Sequence, residues 1–168
     1  MIEKRITIIL GAIILSVVSV SALAGSEKNE MVKRGKYIVQ ISGCNDCHTP
    51  GYAQKGGDIP VANWLAGSVV GFAGPWGVTY PKNLRILLAD MTEDDWVKNA
   101  KSKQSRPPMP WFTLRDMQEQ DLRALYQFVL SLGKSGEPAP EYAPPGVTVN
   151  TPYIDFVPKN LPAQPDSK

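Results

Sequence analysis

The sequence predicts an all-α domain. Apolar residues recur at helical spacing in two separate stretches, no strand–helix alternation or internal repeat runs along the chain, and a long Gly/Pro-rich middle shows little periodicity of either kind. With 43% hydrophobic and 20% charged residues in 168 positions, one ordinary hydrophobic core is the expectation.

The chain opens with Met1–Arg5, which carries two cations. An apolar run from Ile6 to Val20 follows, and then Ser21-Ala22-Leu23-Ala24. This is the three-part pattern of a secretory leader, with Ala22 and Ala24 as the small residues of an A-x-A cleavage site before Gly25. The rival reading is an uncleaved anchor, since the 19 residues from Ile6 to Ala24 approach the ~20 that span a bilayer. The serines at 16, 19 and 21 and the Ala-Leu-Ala end favour cleavage, which predicts a periplasmic protein, membrane-bound only if the leader stays. The mature chain then has 144 residues with 16 cations and 15 anions.

Met31, Tyr37, Ile38 and Ile41 predict a first helix over 27–42 that runs straight into Cys44. Thr49 to Arg85 is rich in Gly, Pro and aromatics, and reads as a loop region organised by something other than its own secondary structure. Thr92 caps the next helix, with Glu93, Asp94 and Asp95 in the first turn where the helix dipole favours acids, and Ser102 ends it. Arg106-Pro107-Pro108-Met109-Pro110 cannot be helical, because its prolines lack amide donors and lock φ. The final helix, over 118–132, places Leu122, Leu125, Tyr126, Val129 and Leu132 on one face, with Asp116 as its expected cap and Gly133 as its stop. Residues 134–168 hold eight of the fifteen prolines and predict an extended tail after a domain spanning 25–133.

The chemistry is concentrated in Cys44-Asn45-Asp46-Cys47-His48, a C-x-x-C-H motif. Two thiols three positions apart on a helical turn reach the two vinyl groups on one side of a porphyrin, and the histidine that follows is aimed at the iron. One covalent haem c, attached through Cys44 and Cys47, is therefore the expected cofactor, and the leader independently supplies the extracytoplasmic context that haem attachment needs. A thioredoxin-like pair would sit between a strand and a helix. Zinc would need three ligands crowded into five residues plus a carboxylate, and the chain has two Cys and one His in total.

With a single His, bis-histidine ligation within the chain is excluded. The sixth ligand comes from Met31, Met91, Met109, Met117, a lysine, or none. Met109 is favoured because Pro108 and Pro110 stiffen its loop, 61 residues beyond His48, and reduce the ordering cost of holding the thioether against iron.

The leader, the early helix running into C-N-D-C-H, the Met-Pro-Trp loop and the following Asp-Leu-Arg-Ala-Leu-Tyr-Gln-Phe-Val-Leu-Ser-Leu together resemble a class I, single-haem cytochrome c over about residues 31–132. That resemblance implies a small cytochrome c fold in which the first and last helices cross and the haem lies between a His48 side and a Met109 side. It also implies that Gly74–Gly77 and Tyr80–Leu84 run past the haem propionates, with Trp76, Tyr80 and Asn83 as donors. Arg85, where related chains carry Thr, departs from the pattern and offers a cation to a propionate.

A covalently held iron with two protein ligands has no position for substrate, so the expected function is one-electron carriage between a dehydrogenase donor and an oxidase or another cytochrome, not catalysis. Apolar surroundings are expected from Val61, Trp64, Leu65, Phe72, Trp111 and Phe112. A formal charge of +2 excludes a nucleic-acid footprint. The alternatives are an open-site haem sensor or peroxidase, and a haem subunit that docks a larger redox complex through Thr151–Val157.

Overall fold

A computed structural model describes residues 25–160; the leader, its cleavage point and the end of the tail lie outside them. Helix α1 covers 25–41. It is followed by α2 (Cys44–His48), a 3-10 turn at Val61–Asn63, strands β1 (Gly71–Gly74) and β2 (Gly77–Thr79), helices α3 (Leu84–Ala89), α4 (Glu93–Ser102), α5 (Trp111–Asp116) and α6 (Glu119–Ser131), and strand β3 (Tyr153–Asp155). The described residues are mostly helical, as expected, with a small three-stranded sheet that the sequence did not announce.

The main core is built where α6 meets α1. Leu122, Ala124, Leu125, Tyr126, Phe128 and Val129 of α6 are buried, and Ile38 and Val39 of α1 pack with them. The inward face of α1 is rotated from the expected one: Tyr37 and Ile41 are exposed, whereas Val39 is fully buried. Gly35 sets this rotation, because its bare α-carbon is the point where α6 approaches, and residues three and four away on α1 follow it inward. Arg34 beside it donates two hydrogen bonds to Asp121 of α6, at 3.0 and 3.2 Å. The two helices thus meet at a contact that both sterics and charge keep in register.

Helix α4 begins as expected, with the Thr92 side chain accepting from the Asp95 amide, and it ends at Ser102. Its Trp96 reaches into the same core, where the indole N–H donates to the Leu122 carbonyl at 2.8 Å. Helix α6 starts without the expected Asp116 cap. Asp116 instead takes a fork of hydrogen bonds from Arg115, which also keeps its carboxyl below the usual carboxylate range. Asp116 closes the short helix α5, a turn that the proline-based reading did not include.

The Gly/Pro-rich middle contains the β1–β2 hairpin, paired antiparallel as Phe72↔Thr79, Ala73↔Val78 and Gly74↔Gly77. Strands of three or four residues, three of whose seven residues are glycine, carry no legible alternation. After Gly133 (φ 70) stops α6, residues 134–160 return across this hairpin. Val78 pairs with Ala143, and β3 adds parallel to β1, giving the order β2-β1-β3. A second small core of Val78, Tyr80, Ala139 and Ala143 fills the space beneath. Residues 134–160, set apart as a tail in the sequence, therefore contribute a strand to the sheet and half of a core. Among the described residues no helix is long and apolar enough to cross a membrane.

Candidate haem site

Helix α2 is a five-residue turn that starts after Gly43 and carries the whole C-x-x-C-H motif. Cys44 and Cys47 lie one turn apart with free thiols. Burial pushes the Cys44 thiol up to about 11, and burial followed by the Asp46 carboxylate raises Cys47. His48 is buried, and that burial holds its imidazole below the ordinary histidine value and so neutral. Its Nδ1 lies 2.8 Å from the Lys82 carbonyl oxygen, which can only accept; Nδ1 therefore carries the proton, and the lone pair is on Nε2.

The wall behind His48 is tightly made. The Gly67 amide donates to the His48 carbonyl at 2.9 Å, and the Ser68 amide donates to the Pro81 carbonyl at 3.1 Å. Gly67 has φ 79, and a β-carbon there would lie 2.7 Å from the Asn83 amide nitrogen, so only glycine lets the two segments come together. None of this was visible in the sequence, because a backbone carbonyl has no signature.

Four methionines lie among the described residues. Met31, Met91 and Met117 pack against the main core, and Met91 also takes a 3.9 Å contact from the Asn99 amide. Met109 is half-buried on the loop before α5 and is not among those packed against that core. Its loop is anchored from outside: the Thr79 hydroxyl donates to the Pro107 carbonyl at 2.8 Å, the Trp111 amide donates to the Met109 carbonyl at 2.9 Å, and the Arg106 guanidinium lies 3.7 Å over the Tyr142 ring.

The side chains expected at the propionates are engaged within the chain. Arg85 is the clear departure. Its buried guanidinium donates to the carbonyls of Gly133 and Ala62, each at 2.6 Å, and of Leu132, so it closes the end of α6. The carbonyls left over at a helix C-terminus are ready acceptors for such a donor. Asn83 caps α3 through its oxygen and spends its amide N–H groups on Ser135 and Glu137. The Tyr80 hydroxyl shares a hydrogen bond with Thr151, and the Trp76 indole donates to the Phe72 carbonyl at 3.3 Å. Of the expected apolar surroundings, Trp64 and Leu65 are buried in the main core with Val61 against it, Phe72 stacks edge-on with Phe156, and Phe112 is half exposed. Trp111 is half-buried and edge-on to Phe112.

The donor set fits haem c: two thiols one turn apart and a neutral imidazole whose tautomer leaves Nε2 open. A sequence model of the family described as "Cytochrome c" matches residues 32–133. The chain is 28% identical over 130 residues to the gluconate 2-dehydrogenase cytochrome c subunit of Pantoea cypripedii, an overlap covering 71% of this chain and 27% of that relative. It thus spans about a quarter of the length of the curated relative it matches. No solved structure matches the chain. Motif, helix crossing and family match converge, and the chain belongs to the cytochrome c family, an electron carrier with covalently bound haem c on Cys44 and Cys47 rather than a catalyst.

Proposed function

We propose that this chain is an exported, periplasmic one-electron carrier whose iron is held by His48 and Met109. A haem held by these residues would supply one-electron Fe(III)/Fe(II) chemistry, with both axial ligands coming from this chain. The observation that carries the reading is the division among the methionines: three are committed to the main core, and the fourth rides a proline-stiffened loop pinned by Thr79. His48 contributes an imidazole kept neutral by burial and oriented by Lys82. A thioether ligand favours the reduced iron relative to a more electron-donating one, which suits a carrier accepting electrons from a dehydrogenase.

The test is Met109→Ala. The expected result is loss of the sulfur-to-iron absorption band, a lower reduction potential and rapid binding of carbon monoxide by the reduced protein. An unchanged spectrum overturns Met109 as ligand, and rapid carbon monoxide binding by the unaltered protein favours an open-site sensor or peroxidase.

The donor in this reading is a dehydrogenase of the kind the relative's name states, one acting on gluconate, and the acceptor is an oxidase or another cytochrome. Contact is made beside a cleft of about 330 Å³ whose wall includes Cys47, Val69, Phe72 and Ile154, with Asp46 and Glu137 as its charged lining residues. A further observation favours residence in a larger redox complex: Tyr153, Ile154, Phe156 and Val157 are all exposed on and just after β3. Stopped-flow reduction by a gluconate dehydrogenase, with and without Ile154→Asp, tests both points; equal rates remove the tail strand from the contact.

A further inference from the structure

Asn45, inside the C-x-x-C-H turn, is 1% exposed, and its amide nitrogen has no hydrogen-bond partner among the described residues. An idle buried donor destabilises a fold, and an aliphatic side chain would fill the same space without it. Its oxygen, by contrast, is used: it accepts from the Thr49 hydroxyl at 2.7 Å. Thr49 is equally buried, and its oxygen in turn accepts the Leu65 amide at 2.8 Å. Leu65 has φ 61, a left-handed conformation that a leucine adopts only when its surroundings impose it. From there the Leu65 carbonyl accepts the Leu84 amide at 3.0 Å, and two residues before Leu84 stands Lys82, whose carbonyl holds His48 Nδ1. The path leaves the motif at Asn45 and returns to it at His48.

We propose that Asn45 and Thr49 are positioning residues for the axial imidazole. The Asn45 oxygen accepts the hydrogen bond of the Thr49 hydroxyl, which turns the threonine lone pair toward Leu65. Leu65 then fixes the depth of the 82–84 segment, and so the strength of the Nδ1–H···O=C bond to His48. A stronger bond at Nδ1 makes the imidazole a better electron donor at Nε2 and lowers the potential; a slackened one raises it. The inference rests on the reading that His48 ligates the iron.

The test uses Thr49→Val, which keeps shape and removes the hydroxyl, with Thr49→Ser as the restoring variant, all as haem-loaded protein. The expected result is a positive shift of the reduction potential together with at least ten-fold faster hydrogen exchange at the Leu65 amide, both returned toward the starting values by Thr49→Ser. Asn45→Leu is the second variant should Thr49→Val fold poorly, and it shifts the potential in the same direction without lowering the melting temperature. Potentials unchanged in Thr49→Val, or in Asn45→Leu if that variant must stand in, overturn the relay while leaving His48 ligation intact. A positive shift that Thr49→Ser does not reverse overturns it too. A spectrum showing iron held without histidine overturns both.

Discussion

A β-carbon on Gly35 of α1 would lie 2.0 Å from the carbonyl oxygen of Ala124 on α6, closer than any side chain permits. The same added carbon would meet the Phe128 β-carbon at 2.7 Å. Both obstacles belong to a helix buried along this face, so neither can turn aside. Gly35→Ala is expected to separate the helices and cost about 3 kcal/mol. Denaturant unfolding followed by circular dichroism checks this, and a midpoint equal to that of the unaltered protein would show that the crossing has slack.

Arg85→Met is expected to destabilise the fold by about 3 kcal/mol, because the carbonyls of Ala62, Leu132 and Gly133 lose a charged donor together. The reduction potential should stay near its original value, since the guanidinium is spent at the end of α6. A shifted potential with intact stability would return Arg85 to a propionate.

Thr79→Val removes the hydroxyl that holds the Pro107 carbonyl, and with it the outer anchor of the Met109 loop. The loss of about 1 kcal/mol of anchoring translates into roughly five-fold faster carbon monoxide binding to the reduced protein, because the thioether leaves more often. Flash photolysis measures that rate, and an unaltered one would show that the loop is held without the Thr79 hydroxyl.

His48 is the chain's single histidine, and burial lowers its pKa in the folded state. An unfolded imidazole takes a proton near its ordinary value of about 6.5. Between the two values the unfolded chain binds more protons, so stability is complete above about pH 6.5 and drains away as the pH falls below it. Melting temperatures between pH 7.5 and 5 should therefore decline toward acid, with proton uptake on unfolding. Uptake absent below pH 6 would mean that the imidazole is already charged in the fold.

The helices were legible where residues act on neighbours within one turn. Thr92 capping α4, Gly133 ending α6 and the apolar stripe of Leu122, Leu125, Tyr126 and Val129 are local events, and they lie where the sequence reading put them. So does the attachment motif, since two thiols and an imidazole within five residues need no distant partner to declare their chemistry. The hairpin was not legible, because its two short glycine-containing strands show no alternation, and β3 and Ala143, which extend the pairing, lie more than sixty residues away.

Arg85 and Asn83 show the same boundary at the site. Their side chains have the chemistry to hold an anion, and the family resemblance places them beside one. The folded chain brings the carbonyls at the end of α6 and the start of the 134–160 segment within reach, and both side chains donate to them. The identity of the cofactor and its points of attachment follow from covalent spacing along a few residues. Which groups orient His48, which face of α1 turns inward and where residues 134–160 lie depend on backbone donors and acceptors meeting across the fold, and such groups are alike at nearly every residue until folding sets them side by side.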